Sequence, residues 1–264
     1  HTPSIRLAAA GIVAGEFFSA MFSAHTLSRH GKLLHTARLR VIADNIRGLL
    51  SLSLPLTANR TVVTLLQSVE AASIPACLKL YGLNSSDALS IYGVLTGMAL
   101  PCILFPSAIT NSVGTVLMPA VSATSVSGNK NATIRLLKKA VGSCLVLGLS
   151  TCLFFLIFGS LIGTILFHSD TAGDFILTLA WICPFMYTNT ALFSAINGYG
   201  RTTATFFINT CGLLVRIGSV YLAIPRFGIQ GYLWGLLASQ LLISVLAFTV
   251  LIIQASKEQT GTVS

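Results

Sequence analysis

Four ionisable side chains lie inside stretches that are otherwise apolar: Glu16, Arg60, Glu70 and Arg216. An ionised group at the centre of a bilayer costs ~2.5–3.5 kcal/mol on insertion scales, so each of the four needs a partner or a water-filled cavity. Because charges inside membranes are functional by default, we expect these residues to line a cavity open to a charged substrate. The alternative is a buried ion pair between helices, for instance Arg60 with Glu16.

A hydrophilic stripe is predicted on the segment that follows Arg60. At 100° per residue, four residues fall within an arc of about 60°: Arg60, Thr64, Gln67 and Ala71. Glu70 lies about 80° to one side, and about 15 Å along the helix from Arg60, so these two charges cannot pair directly. Arg216 lies deep in a later run, where an internal partner is expected, and Glu70 is one candidate.

The predicted cavity joins these charges to uncharged polar side chains, three of them amides: Glu16, Asn59, Arg60, Thr64, Gln67, Glu70, Asn111 and Arg216. HExxH, GxSxG, P-loop and GxGxxG motifs are absent from the sequence. Its six cysteines form no CxxC pair, and the histidines are not at metal-ligand spacing. We therefore expect no enzyme, no catalytic residue, no metal and no cofactor.

The elements that must position these residues are membrane-spanning helices. Hydrophobic residues make up 54% of the 264, charged residues only 9%, and the mean hydropathy is +0.83. This composition excludes an ordinary soluble enzyme. Seven runs reach the roughly 20 apolar residues that a bilayer crossing requires: 7–27, 49–80, 88–123, 140–167, 175–198, 202–224 and 229–254. The predicted fold class is an all-α membrane protein with seven transmembrane helices.

Charge placement decides how the long third run, 88–123, is interpreted. The run contains three prolines and could be one bent helix or a hairpin. As one kinked crossing, it leaves most of the cations on one side: Arg29, Lys32, Arg38, Arg40, Arg47, Lys130, Arg135, Lys138, Lys139, Arg201 and Lys257. Only Arg6, Lys79 and Arg226 then lie opposite. The positive-inside rule favours this topology, with a cytoplasmic C-terminus, and it explains the net charge of +9 without nucleic-acid binding.

The expected organisation is a helix at 1–27, a connector at 28–48, six helices at 49–254 and a cytoplasmic tail at 255–264. The connector has apolar residues at helical spacing with arginines on other faces, which is typical of an amphipathic helix on the membrane surface. A solvated basic loop is the alternative. The chain begins at His1 and is apolar from Leu7, so we expect a piece of something longer.

Two stretches, 49–83 and 86–122, carry a family resemblance, most specifically in Pro-Leu-Thr-Ala-Asn-Arg (55–60) and Phe-Pro-Ser-Ala-Ile-Thr-Asn-Ser (105–112). They resemble the stage V sporulation protein B family, in the polysaccharide-transport branch of the superfamily that includes multidrug and toxin extruders and lipid II flippases. The resemblance implies about twelve to fourteen helices in two lobes around a cavity. This chain would then be a C-terminal fragment: the end of the first lobe, the connector and the second lobe.

The resemblance also implies a function: alternating-access flipping of a lipid-linked anionic polysaccharide precursor across the cell membrane, for spore cortex peptidoglycan. The implied partners are a lipid-linked oligosaccharide and membrane lipids. A coupling cation, proton or sodium, is the partner of the efflux alternative, in which Glu70 or Glu16 would bind it. Arg60 and Arg216 would then be the cations that meet the pyrophosphate. Lipid II flippases usually carry an arginine early in the helix matching 88–123, whereas this run has no Lys or Arg. The alternatives are cation-coupled multidrug efflux and a non-transporting scaffold for cortex synthesis.

Overall fold

A computed structural model describes residues 5–30, 61–128 and 130–259. The chain divides into two compact units, 1–58 and 59–264. Helix α1, Ile5–His30, lies in the first unit and covers the predicted crossing 7–27. The predicted connector at 28–48 lies outside the described residues from position 31 onward, as does the tail from position 260.

The described part of the second unit is helical throughout. Its elements are α2 Thr61–Leu80, α3 Ser85–Val94, a π-helical segment Leu95–Ala99, α4 Leu100–Leu104, α5 Ser107–Val126, α6 Lys130–Leu166, α7 Asp170–Ala180, α8 Cys183–Gly198, α9 Thr202–Leu222, α10 Ile224–Phe227 and α11 Ile229–Gln259. The all-α prediction is confirmed for the described residues.

Five helices in the described residues are long and apolar enough to cross a membrane: 61–80, 85–104, 130–166, 202–222 and 229–254. A sixth span forms if the bent pair α7–α8 is one crossing, with a bend of 53°. The sequence predicts six crossings over this region, and the bent pair falls on the one predicted at 175–198. Pro184 stands in the first turn of α8, where its missing N–H and fixed φ favour a new helix start.

The long third run is described from Ser85 to Val126 as α3, the π-helical segment, α4 and α5, and its interpretation as one crossing stays a prediction. The π-helical segment and α4 contact α7, and α5 contacts α8. The segment from α3 to α5 therefore runs beside the bent pair α7–α8 in the same direction. The π-helical segment ends two residues before Pro101, whose ring would clash with the carbonyl four residues earlier in a regular α-helix. The run breaks again at Pro106, and there the fully buried Tyr187 donates a hydrogen bond of 2.7 Å to the Ile103 carbonyl.

Small residues let the helices of this unit approach closely. A Cβ added at Gly148 of α6 would lie 2.6 Å from the Pro184 Cα of α8, and one added at Gly198 would lie 2.7 Å from the Met118 carbonyl oxygen of α5. Ser239 of α11 donates a buried 2.8 Å hydrogen bond to the Gly212 carbonyl of α9. Such contacts suit helices in lipid, where close backbone packing replaces the hydrophobic effect between them.

Charges separate to the two ends of the second unit. Helix α6 begins at Lys130, ten residues before the predicted crossing, because Lys, Arg and Leu in 130–139 are good helix formers. At this end, among the described side chains, the charged residues are all basic: Lys130, Arg135, Lys138, Lys139 and Arg201. The opposite end carries both signs: Lys79, Asp87, Asp170, Asp174 and Arg226. This asymmetry is typical of the positive-inside pattern.

Candidate functional site

Glu70 lies on the buried face of α2, although the two residues before it, Ser68 and Val69, are exposed. It is 3% exposed, and the same helix face continues into the apolar core through Ile74, Cys77 and Leu78. These residues follow Glu70 at i+4, i+7 and i+8, the spacing of one helical face. A carboxyl group therefore points into the packed interior of a membrane-spanning helix bundle.

Two other helices supply the groups that stabilise this carboxylate. Arg216 of α9 donates to Glu70 through two parallel contacts, Nε to Oε1 at 2.8 Å and Nη2 to Oε2 at 2.8 Å. Tyr232 of α11 donates its hydroxyl to Oε1 at 2.8 Å. We call Glu70, Arg216 and Tyr232 the charge cluster. It joins α2, α9 and α11, and Glu70 is the internal partner that the sequence suggested for Arg216.

The charge cluster balances its own charge. A two-pronged contact is the strong geometry for guanidinium and carboxylate, and the third hydrogen bond uses another carboxylate lone pair. Glu70 and Tyr232 are each 3% exposed, whereas the Arg216 side chain stays 27% exposed. The carboxylate is therefore sealed, and the arginine is the member that reaches the surface of the unit. An anion arriving there would meet an arginine already neutralised by Glu70.

The predicted hydrophilic stripe lies on a different face of α2 from the charge cluster. Thr64 and Gln67 are exposed, Ala71 is half-buried, and the exposed Ser68 donates to the Thr64 carbonyl at 2.9 Å. Glu70 points into the core, about 80° around the helix from this exposed polar face. A polar face on a membrane helix is stable only where it meets water or protein.

The remaining predicted site residues are dispersed or lie outside the description. Asn59 and Arg60 are outside the described residues, so the pairing of Arg60 with Glu16 stays a prediction. Glu16 is exposed on α1 in the first unit, and Asn111 is exposed on α5. The structure thus brings together Glu70 and Arg216, places Thr64 and Gln67 on the neighbouring face of α2, and puts Asn111 on another helix.

A second buried polar cluster joins α8 to α11. Asn189 is 3% exposed and donates from Nδ2 to Gln240 Oε1 at 2.8 Å. Its Oδ1 accepts a 2.7 Å hydrogen bond from Ser244. The amide is therefore satisfied by protein groups on both sides, which is the packing role expected for such residues between membrane helices.

Sequence reasoning missed the contribution of α11 to both clusters. Tyr232, Gln240 and Ser244 are spaced by eight and four residues, so they lie close to one helical face. That spacing was a usable signal for a buried polar face. In the residues that the structure describes, no group of three His, Cys, Asp or Glu side chains could hold a metal ion.

Comparison with known proteins identifies two curated relatives, while no family model matches the chain. The chain is 26% identical over 200 residues to stage V sporulation protein B of Bacillus subtilis (strain 168), covering 75% of this chain and 39% of that protein. It is 22% identical over 213 residues to sporulation protein YkvU of the same organism, covering 79% of this chain and 47% of that protein. The chain spans less than half the length of either relative.

A solved structure shares the fold. It is the inward-facing conformation of a multidrug resistance MATE family transporter of the MOP superfamily, with a TM-score of 0.68 and 12% identity. The match covers 86% of this chain and 51% of that one. The resemblance suggested by the sequence is confirmed, and the chain is an all-α, multi-pass membrane protein with the fold of about half a MATE transporter.

Proposed function

We propose that this chain forms part of a membrane flippase that moves a lipid-linked anionic polysaccharide precursor to the outer leaflet by alternating access. Two observations support a membrane transporter of this kind: the similarity of the chain to two sporulation proteins, and the likeness of its fold to that of a transporter. Spore cortex peptidoglycan is the destination we propose for the precursor. The proposed orientation places the basic end of the second unit, and the C-terminus, in the cytoplasm.

The charge cluster is the observation that carries the proposal. A sealed carboxylate in a membrane-spanning bundle is costly, and it is stabilised here by an arginine that stays 27% exposed. Glu70, to which Tyr232 donates a hydrogen bond, contacts the Nε and Nη2 atoms of the guanidinium, and its Nη1 atom takes no part in these contacts. We propose that Nη1 donates to a phosphate oxygen of the substrate while Glu70 holds the side chain in place.

Arg216 alone cannot neutralise a pyrophosphate, because Glu70 already balances its charge. We propose that Arg60 supplies the second cation and that Thr64 and Gln67 line the route between the two arginines. Thr64 and Gln67 are exposed on one face of α2, as a wet wall requires. The apolar tail of the substrate would stay in lipid while the headgroup crosses.

A second candidate function is cation-coupled efflux of small drugs. The fold match to a multidrug resistance transporter favours it, and the coupling proton or sodium ion would then bind at Glu70 or Glu16. The two candidates differ in the sign of the substrate charge. An anionic substrate needs the Arg216 guanidinium, so Glu70→Gln, which keeps one oxygen acceptor for it, should lower flipping without abolishing it. A coupling cation needs the Glu70 carboxylate itself, so the same change should abolish efflux.

The experiment uses a protein that carries both lobes, reconstituted in vesicles with a fluorescent lipid-linked sugar diphosphate. Protection of the fluorophore from an external quencher measures flipping. We expect Arg216→Ala to abolish flipping and Arg216→Lys to retain only part of it, because lysine keeps the charge but cannot make the two-pronged contact. Tyr232→Phe is the matched control, since it removes one hydrogen bond and keeps both charges.

Three outcomes decide between the candidates. Normal flipping by Arg216→Ala contradicts the proposed role of the arginine. Loss of drug efflux in Glu70→Gln, with no flipping by the wild type, supports efflux instead. Normal sporulation with Arg216→Ala, provided the protein stays at its usual membrane level, supports the scaffold hypothesis.

A further inference from the structure

A groove between α5 and α6 has an apolar length and a basic end. The apolar part has a volume of about 500 Å³ and is lined mainly by aliphatic side chains of both helices, including Val113, Val116, Leu117 and Leu136. A second depression of about 450 Å³ adjoins it and is lined by Ala132, Arg135, Leu136 and Lys139. Leu136 and Lys139 line both, so the two depressions form one continuous surface feature.

The polar atoms that line the apolar part are turned inward to their own helices. Ser112 donates to the Ala108 carbonyl at 3.0 Å, and Ser143 donates to the Ala140 carbonyl at 2.9 Å. Hydroxyls satisfied in this way present no free donor to a ligand. The groove therefore offers a hydrocarbon surface along its length, and its only lining charges in the described residues are Arg135 and Lys139.

The two cations lie at the end of the apolar stretch of α6, where we expect the headgroups of the bilayer. Helix α6 has 37 residues and is about 55 Å long, whereas the hydrocarbon core is about 30 Å thick. The stretch from Ala140 to Leu166 carries no Lys, Arg, Asp or Glu, so Lys139 marks the boundary of the apolar part. Arg135 is four residues earlier on the same helical face and extends further from the core.

We propose that this groove binds one anionic phospholipid, with an acyl chain along α5–α6 and its phosphate between Arg135 and Lys139. Charge complementarity selects the occupant, because an acyl chain fits the apolar part and only a negative headgroup matches the basic end. The volume lies in the range, roughly 300–1,000 Å³, that suits a bound small molecule. The site is separate from the charge cluster and does not depend on the proposed transport.

The test uses the purified 264-residue chain after delipidation in detergent, titrated with phosphatidylglycerol or phosphatidylcholine and followed by native mass spectrometry. We expect one phosphatidylglycerol to bind, and phosphatidylcholine to bind about tenfold more weakly or worse. Each near-surface cation contributes about fivefold to affinity. Arg135→Gln and Lys139→Gln should therefore each weaken phosphatidylglycerol binding about fivefold, and the double variant roughly thirtyfold.

Two matched controls separate the groove from general surface charge and surface area. Lys138→Gln removes the same charge one position away from Lys139, and Lys138 does not line the groove, so binding should be unchanged. Val116→Trp fills the groove from a position that is 70% exposed and should abolish binding. Val245→Trp makes the same change on α11, at a 62% exposed position outside the groove, and should leave binding intact.

Each of three results would overturn the proposal. Equal binding of the two phospholipids removes the charge argument. Weakening by Lys138→Gln as large as that by Lys139→Gln means that the attraction is diffuse. Binding that survives Val116→Trp, or that inorganic phosphate at equal concentration displaces, means that the headgroup alone is recognised and the groove plays no part.

Discussion

Replacing Arg216 by alanine leaves the sealed Glu70 carboxylate with Tyr232 as its remaining donor in the charge cluster. Breaking a buried ion pair by removing one partner costs about 3–5 kcal/mol. The Arg216 side chain is 27% exposed, so part of its attraction is screened, and the tyrosine continues to donate. We therefore expect the free energy of unfolding to fall by about 2–3 kcal/mol, or about 30- to 150-fold in the folding equilibrium.

The assay is equilibrium unfolding in mixed detergent micelles, with the fluorescence of Trp181 and Trp234 as the signal. Trp234 lies two residues from Tyr232 and reports on α11. The matched control is Arg226→Ala, because Arg226 is exposed and should change stability by no more than about 0.5 kcal/mol. The double variant Glu70→Gln with Arg216→Ala should cost at least about 1 kcal/mol less than the sum of its single changes.

Two results would refute this reasoning. If Arg216→Ala costs no more than Arg226→Ala, the ion pair does not stabilise the bundle. If the costs of Glu70→Gln and Arg216→Ala simply add, the two side chains do not interact in the folded protein.

Two further predictions concern the packing of the bundle and use the same unfolding assay. Tyr187→Phe should destabilise by about 1–3 kcal/mol, because it leaves the buried Ile103 carbonyl without its 2.7 Å donor; a change below about 0.3 kcal/mol would contradict this. Gly148→Ala should destabilise by about 1–3 kcal/mol, because the new Cβ would meet the Pro184 backbone at 2.6 Å. Gly142→Ala is the control: a Cβ there would have open space, so this change should be neutral or stabilise the protein by up to about 1 kcal/mol. Equal effects at the two glycines would show that the α6–α8 approach is not tight.

The sequence was informative about helices and less so about their breaks. Apolar length predicts a crossing at 202–224, close to the observed α9, because lipid imposes both length and composition on a spanning helix. The same criterion misses the 53° bend between α7 and α8, since both halves are apolar. Pro184 was the local signal, but a proline in a membrane helix can be accommodated without a sharp bend.

The charge cluster was predictable only in part, because the sequence of one helix does not show which side chains of other helices it contacts. Glu70 and Arg216 attract attention because each is an isolated charge in an apolar run, and few partners exist for either. Tyr232 carries no charge and tyrosine is common near membrane interfaces, so its spacing from Gln240 and Ser244 indicates a polar face on α11 but not the contact with Glu70. Periodicity places Thr64 and Gln67 on one face of α2, but which face packs against other helices depends on tertiary contacts.

The account depends most on water reaching the polar face of α2 inside the membrane. The direct measurement is cysteine labelling of membrane vesicles by a membrane-impermeant thiosulfonate, with the exposed Cys211 replaced by serine. Gln67→Cys should react, while Leu65→Cys, 61% exposed but about 160° around the same helix, should be protected by lipid. Equal reactivity of the two cysteines, or protection of both, would contradict an aqueous path along this helix.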